Sequence, residues 1–265
     1  MPGDIRIGTC AWSHDEWRGN FYPEHLPAAR RLERYARRFA TVEVDSTFYG
    51  VPQAHALGHW LDGTPENFSF ACKLPREITH ERHLRDCREP LEEFLRDMAP
   101  LHSRLGCFLA QLPPAFVPPR DEHALRTFVA ELPRGFRFAV EFRNAEWHLP
   151  RVVSLLEEHN VCWVWNDLTS AEEQNRACFE FLPQTADFLY LRLLGDIAGA
   201  PQPRTSGLDN WAMKIEKHAA EAAPVFVFLG NHFEGHAPLS AQRLASRLGI
   251  TLPEPSDGGS QMKLF

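Results

Sequence analysis

Apolar and polar positions alternate in short runs, and the runs recur along the chain with helix-like spacing between them. Residues 5–10, 41–48, 68–74, 105–112, 136–142, 161–166, 188–193 and 225–229 read as strands. Helical patterns fall at 29–39, 53–61, 85–101 and 121–131, after Pro150, weakly at 171–178, and again at 208–222 and 240–248. Asp121 stands where an N-cap belongs. Eight strand-then-helix units predict an α/β chain folded as one (β/α)8 TIM barrel over residues 1–252. The alternative is an open, doubly wound sheet, which calls for a glycine-rich phosphate turn after the first strand. Gly8-Thr9-Cys10-Ala11 is not such a turn, and no nucleotide-cofactor motif is evident.

The alternation also sorts side chains onto faces. In 136–142 the residues Phe138, Val140 and Phe142 share one face and Ala139, Glu141 and Arg143 the other. In 41–48, Val42 and Val44 oppose Thr41, Glu43, Asp45 and Thr47. A barrel gathers its chemistry at the carboxyl ends of its strands. Those ends carry Cys10 and Trp12; Glu43 and Asp45; Lys73; Gln111; Glu141 and Arg143; Trp165 and Asp167; Tyr190 and Arg192; Asn231 and His232. Charges of both signs are thus expected inside one ring.

Composition narrows the classes. Across 265 residues, 28 Lys and Arg stand against 35 Asp and Glu, a formal charge of −7, which argues against a globally basic nucleic-acid binder. The opening residues show no signal-peptide pattern, and no apolar run approaches a membrane span. Six cysteines are scattered without a C-x-x-C pair. Reduced thiols in a cytoplasmic protein are therefore expected, and a zinc or iron–sulfur site is not.

Several stretches together resemble one known family. They are Gly8-Thr9-Cys10-Ala11-Trp12, Phe21-Tyr22-Pro23, residues 41–49 (TVEVDSTFY), Phe70-Ala71-Cys72-Lys73-Leu74-Pro75, Ala139-Val140-Glu141-Phe142-Arg143 and residues 231–237 (NHFEGHA). In this order they resemble the YecE-like proteins, also called domain of unknown function 72. The resemblance implies a TIM barrel and brings no assigned reaction. The chain departs from the family pattern at Asp45, where Asn is more frequent, at Leu194, where His is common, and at Gly230, where Asn is frequent.

The chemistry expected from the residues is that of a hydrolase or lyase acting on a phosphate-bearing substrate, a small anion or a nucleic acid. Glu43, Glu141 and His232 are the candidate catalytic groups. Arg143, Arg192 and Lys73 suit an anion. Trp12, Asp45, Tyr49, Gln111, Asp167 and Asn231 complete the candidate binding set, and Tyr22, Phe48 and Trp147 join Trp12 and Tyr49 as a possible stacking platform. Glu43, Asp45, Glu141 and Asp167 would suit a hard ion such as Mg²⁺ or Mn²⁺. Competing readings are carbohydrate chemistry with paired carboxylates, a non-catalytic anion-binding module, and a purely structural buried ion network.

After Leu252 the composition changes. Residues 253–260 (PEPSDGGS) read as a flexible linker, and the chain ends in Gln261-Met262-Lys263-Leu264-Phe265. This ending is similar to the Gln-x-x-Leu-Phe peptide that docks bacterial replication and repair proteins on the DNA sliding clamp. Gln261, Leu264 and Phe265 are the candidate partner-binding residues.

Overall fold

The computed structural model describes residues 4–167, 181–195, 205–219, 222 and 224–253. Strands β1 (Ile5–Thr9), β2 (Thr41–Val44), β3 (Ser69–Lys73), β4 (Leu105–Gln111), β5 (Phe138–Glu141), β6 (Cys162–Trp163), β7 (Trp165–Asn166), β8 (Leu189–Leu193) and β9 (Val225–Leu229) pair only in parallel. Between them run helices α1 (Arg31–Ala36), α2 (Ala54–Asp62), α3 (Arg88–Met98), α4 (Glu122–Glu131), α5 (Pro150–Glu158), α6 (Thr205–His218), α7 (Asn231–Glu234) and α8 (Ala237–Arg247). Parallel neighbours need crossovers, and the helices supply them.

The strands form two sheets, ordered β2-β3-β4-β5-β6 and β1-β9-β8-β7. Where one closed cylinder was expected, the structure shows a parallel α/β fold in two sheets that abut at two seams. At the first seam the chain changes sheets around Val164: its N–H still bonds Val140 of β5 at 3.0 Å, while Trp165 and Asn166 pair with β8. At the second, Cys10 bridges Glu43 and the Ala11 N–H bonds the Glu43 carbonyl at 2.8 Å. Tyr35 stitches this seam. Its hydroxyl accepts from the Thr9 N–H at 2.8 Å and donates to the Thr41 carbonyl at 3.1 Å. Gly8 lies so close that a Cβ there would sit 2.2 Å from the Thr41 carbonyl oxygen. Only glycine fits at that approach.

Apolar side chains divide into two clusters. One, including Val42, Val44, Phe70, Cys72, Phe138, Val140 and Phe142, packs with the helices. The other, separate cluster holds small residues such as Ala71, Cys107 and Ala139 against Phe188, Tyr190, Phe226 and Phe228. Strand parity produces this division, since alternate residues of one strand serve opposite layers.

Several expected elements differ in extent. The strand expected over 41–48 stops at Val44, and Asp45–Phe48 turns as a 3-10 helix. The Thr47 hydroxyl holds the turn by donating to the carbonyls of Val44 (2.9 Å) and Lys73 (2.7 Å). The helix expected over 85–101 is α3 alone, preceded by left-handed backbone at His83, Leu84 and Asp86. Asp121 precedes α4 but makes no side-chain cap. Its carboxylate instead accepts from the Val117 N–H at 2.9 Å and from Arg85 and Arg120. Helix α7 had no counterpart in the sequence pattern. The helix expected at 171–178 and residues 254–265, with Gln261, Leu264 and Phe265, lie outside the described residues. Among the described residues no helix is long and apolar enough to cross a membrane.

Candidate functional site

At the carboxyl ends of the strands, above the inner apolar cluster, six charged side chains from four strands and their following turns converge. Arg192 of β8 is central and 3% exposed. Its Nε lies 3.1 and 3.0 Å from the two Glu43 oxygens and its Nη2 2.7 Å from Glu43 Oε1, a two-pronged grip. Its Nη1 reaches Glu141 Oε2 at 2.5 Å. Tyr190, two residues earlier on the same face, donates to Glu43 Oε2 at 2.6 Å. Gln111 donates to Glu141 Oε2 at 3.0 Å. Glu43 and Glu141 are fully buried. Two buried carboxylates sharing one guanidinium are stable only while all members are present.

Protonation follows from these contacts. Burial alone would raise the Glu141 carboxyl, but Arg143 and then Arg192 hold it below the ordinary glutamate range. Burial, reinforced by Glu43, pushes the Tyr190 phenol well up, so it remains a donor. The same two causes raise the Cys10 thiol, which stays protonated and is no nucleophile near neutrality.

Around this closed centre lies a looser edge. Arg143 Nε stands 2.8 Å from Glu141 Oε1, yet neither atom completes a hydrogen bond. Asp45 Oδ1 sits 3.6 Å from Lys73 Nζ and 3.7 Å from Arg192 Nη2, too far for either bond. Lys73 Nζ rests over the Phe48 ring at 4.5 Å, and the His80 ring meets Phe48 edge-on at 4.8 Å. Burial first, then Lys73 and Arg76, pull the His80 pKa down to about 4, so its imidazole is neutral at pH 7. Three carboxylates and three cations balance formally, and the imbalance is one of geometry.

Seven candidate residues therefore meet here: Glu43, Asp45, Lys73, Gln111, Glu141, Arg143 and Arg192. The others serve elsewhere. Asp167 Oδ1 accepts from the N–H groups of Leu194 (2.5 Å) and Gly195 (3.0 Å) and so shapes the turn after β8. Asn231 Oδ1 accepts from Trp17 Nε1 (2.9 Å) and the Ala237 N–H (3.1 Å), tying the first loop to α8. His232 is exposed on α7. Trp12 packs edge-on against Trp60 at 5.3 Å. Tyr49 is 80% exposed, beside Phe48. The expected stacking platform is not assembled. Tyr22 and Trp147 are core residues, and the Trp147 N–H bonds the Phe116 carbonyl at 2.7 Å.

Of the carboxylates expected to suit a divalent ion, Glu43, Asp45 and Glu141 gather around Arg192 and Asp167 lies apart. Glu43 and Glu141 face Arg192, and Asp167 faces backbone amides. Among the described residues no group of three or more His, Cys, Asp or Glu is placed to hold a metal ion. The sequence places Tyr190 with Arg192 at a strand end but gives it no role, which its hydrogen bond to Glu43 supplies. Sequence reading passed over His80, which a π-helical turn at Glu77–Glu81 brings to the mouth and which no periodicity signals. A separate cleft of about 520 Å³, lined by Leu105, Phe108, Arg134, Phe136 and Arg137 among others, opens at the other end of β4 and contains none of these charges.

Comparison with known proteins gives a family and no reaction. A family model described as "Protein of unknown function DUF72" matches residues 6–261. The chain is 36% identical over 143 residues to UPF0759 protein YecE of Escherichia coli (strain K12), covering 54% of this chain and 50% of that protein. It is 31% identical over 153 residues to UPF0759 protein YunF of Bacillus subtilis (strain 168), covering 55% and 53%. The matched stretch thus spans about half the length of these curated relatives. A DUF72 family protein from Thermotoga maritima MSB8 superposes with a TM-score of 0.80 at 25% identity, covering 92% of this chain and 99% of that one. One from Enterococcus faecalis V583 gives 0.79 at 22% identity, covering 96% and 100%, a likeness of fold.

Proposed function

This chain belongs to the DUF72 family of proteins of unknown function, and from that premise we propose that the charged mouth is an anion-binding site of a cytoplasmic enzyme. The fold reading that goes with it is a closed (β/α)8 barrel, supported by the two seams and by the separate inner cluster. One observation carries the functional reading. Lys73 Nζ stands 3.6 Å from Asp45 without a hydrogen bond to it, and Arg143 meets the single carboxylate Glu141 from the edge, while Arg192 is gripped by both Glu43 and Glu141. A phosphate would complete the hydrogen bonds of both cations.

In this reading the roles divide by position. Arg143 and Lys73 hold the anion. Arg192, Glu43, Tyr190 and Gln111 hold Glu141 and are positioning residues. Glu141, ionised beside Arg143, is the group nearest an anion on Arg143 and acts as the proton acceptor in a hydrolase or lyase reaction. The low pKa makes it a weak base, and its advantage is full ionisation at neutral pH. Neutral His80 at the same edge is a further acceptor.

Melting of the full chain in phosphate against chloride at equal ionic strength tests the site. Phosphate raises the melting temperature by mass action beyond the general stabilisation it gives any fold, and Arg143→Met removes that excess. An equal rise in the variant overturns the anion assignment. The purely structural reading predicts the same general rise in both proteins.

Recruitment to the DNA sliding clamp through Gln261, Leu264 and Phe265 rests on the sequence of the tail. Tethering would raise the local concentration of a DNA substrate for an acidic protein. A pull-down on purified clamp recovers the full chain and not a form ending at Ser260. Equal recovery of the two removes this part of the proposal.

A further inference from the structure

Three buried oxygens at the mouth receive no hydrogen bond: Asp45 Oδ1, Glu141 Oε1 and Asn166 Oδ1. Asn166 was not among the expected site residues. It is 5% exposed and stands in register with Arg192 across β7 and β8, so its side chain shares the face that carries the guanidinium. Buried acceptors lacking donors are uncommon in folded proteins, and three at one mouth point to a partner that brings donors.

A bare anion does not answer that need. Phosphate satisfies Lys73 and Arg143, but near pH 7 it carries only one or two protons, on the same small group that meets the cations, and cannot supply donors to three separate acceptors. A neutral polyol has the opposite defect, since it leaves both cations incomplete. The acceptor and the cation lie close together: Asp45 Oδ1 is 3.6 Å from Lys73 Nζ. One ligand can therefore meet both, with an acid group and hydroxyls on neighbouring carbons.

We infer that the mouth takes an acid-bearing sugar, its acid group on Lys73 and Arg143 and its hydroxyls donating to Asp45, Asn166 and Glu141. The inference rests on the anion site proposed above and narrows its substrate class. It also separates two substrates left open there, because a DNA backbone offers phosphates without free sugar hydroxyls. Phosphate and carboxylate both suit the two cations, so a sugar phosphate and a sugar acid share this chemistry.

Calorimetric titration of the full-length protein tests it. The ligands are glucose 6-phosphate, ribose 5-phosphate, glucuronate and gluconate, with inorganic phosphate, glucose and a deoxynucleotide strand as references. The best acid-bearing sugar binds about tenfold or more tightly than inorganic phosphate or glucose, the factor expected from one or more added hydrogen bonds to charged acceptors. Preference within the panel for phosphates or for carboxylates identifies the source of the acid group. Asn166→Leu removes that margin while inorganic phosphate still binds; should it melt early, Asp45→Ala, which frees Lys73 of a neighbouring carboxylate and so strengthens phosphate binding, lowers the ratio of sugar to phosphate affinity instead. Acid-bearing sugars that bind no better than inorganic phosphate overturn the inference while the anion site stands. Failure of phosphate and sugars alike removes both. A deoxynucleotide strand that outbinds every sugar also overturns it, in favour of DNA.

Discussion

Arg192 illustrates how one residue can hold a site without serving it directly. Its guanidinium bridges two buried carboxylates, and removing it strands both. Arg192→Met is expected to cost about 3–5 kcal/mol of unfolding free energy by urea titration, the range for breaking a buried pair. Tyr190→Phe removes one hydrogen bond to a charged oxygen and is expected to cost about 1.5–3 kcal/mol. Arg143, at the edge, is different. Arg143→Met loses phosphate binding while costing less stability than Arg192→Met, because Arg143 is itself partly exposed and pairs with one buried carboxylate where Arg192 pairs with two. At this scale the sequence was informative wherever parity applied. Glu43, Lys73, Gln111, Glu141 and Arg192 all follow from alternation along short strands. What parity could not reveal was which cation would be consumed by which carboxylate, since that depends on distances between strands. Nor could it place Asp167, Asn231 and His232, which lie beyond the last paired residues, where turns redirect the side chains.

The seam between β1 and β2 depends on close approach at the level of elements. Gly8→Ala puts a methyl group 2.2 Å from a backbone oxygen on a neighbouring strand. The strands must separate, and a loss of about 1–3 kcal/mol is expected in denaturant unfolding. The loop before α4 depends on Asp121. Burial would raise its pKa, but hydrogen bonds from Arg120, the Val117 N–H and Arg85 bring it down to about 2. Its folded pKa is thus below the ordinary 3.8. The stability it contributes is present above that value and is lost as pH falls through about 2. Asp121→Asn should flatten that part of the acid limb in a pH series of melting curves. An unchanged slope would show that the loop's arginines do not depend on its charge. Strand and helix existence was legible here, while several ends were not. The stretch 41–48 reads as a strand from its β-branched residues and alternation. The Thr47 hydroxyl nevertheless bends the chain after Val44 through contacts that include a carbonyl 26 residues away, which no local pattern contains.

For the whole molecule, the formal charge of −7 argues against long-range attraction of anions. Any anion site must therefore be local, built from a few cations held in a shielded place. The mouth meets this condition with Lys73 and Arg143 beside a buried centre in which Arg192 bridges Glu43 and Glu141. The parallel architecture was legible from eight recurring strand-helix units. The junction at Val164, where one strand serves two sheets, was not, because it lies within a continuous apolar run. The most direct measurement is a calorimetric titration of inorganic phosphate into the full-length protein and into Arg143→Met at pH 7. Saturable one-to-one binding to the first and none to the folded variant is the predicted result. Equal binding by both, or none by either, would contradict the account.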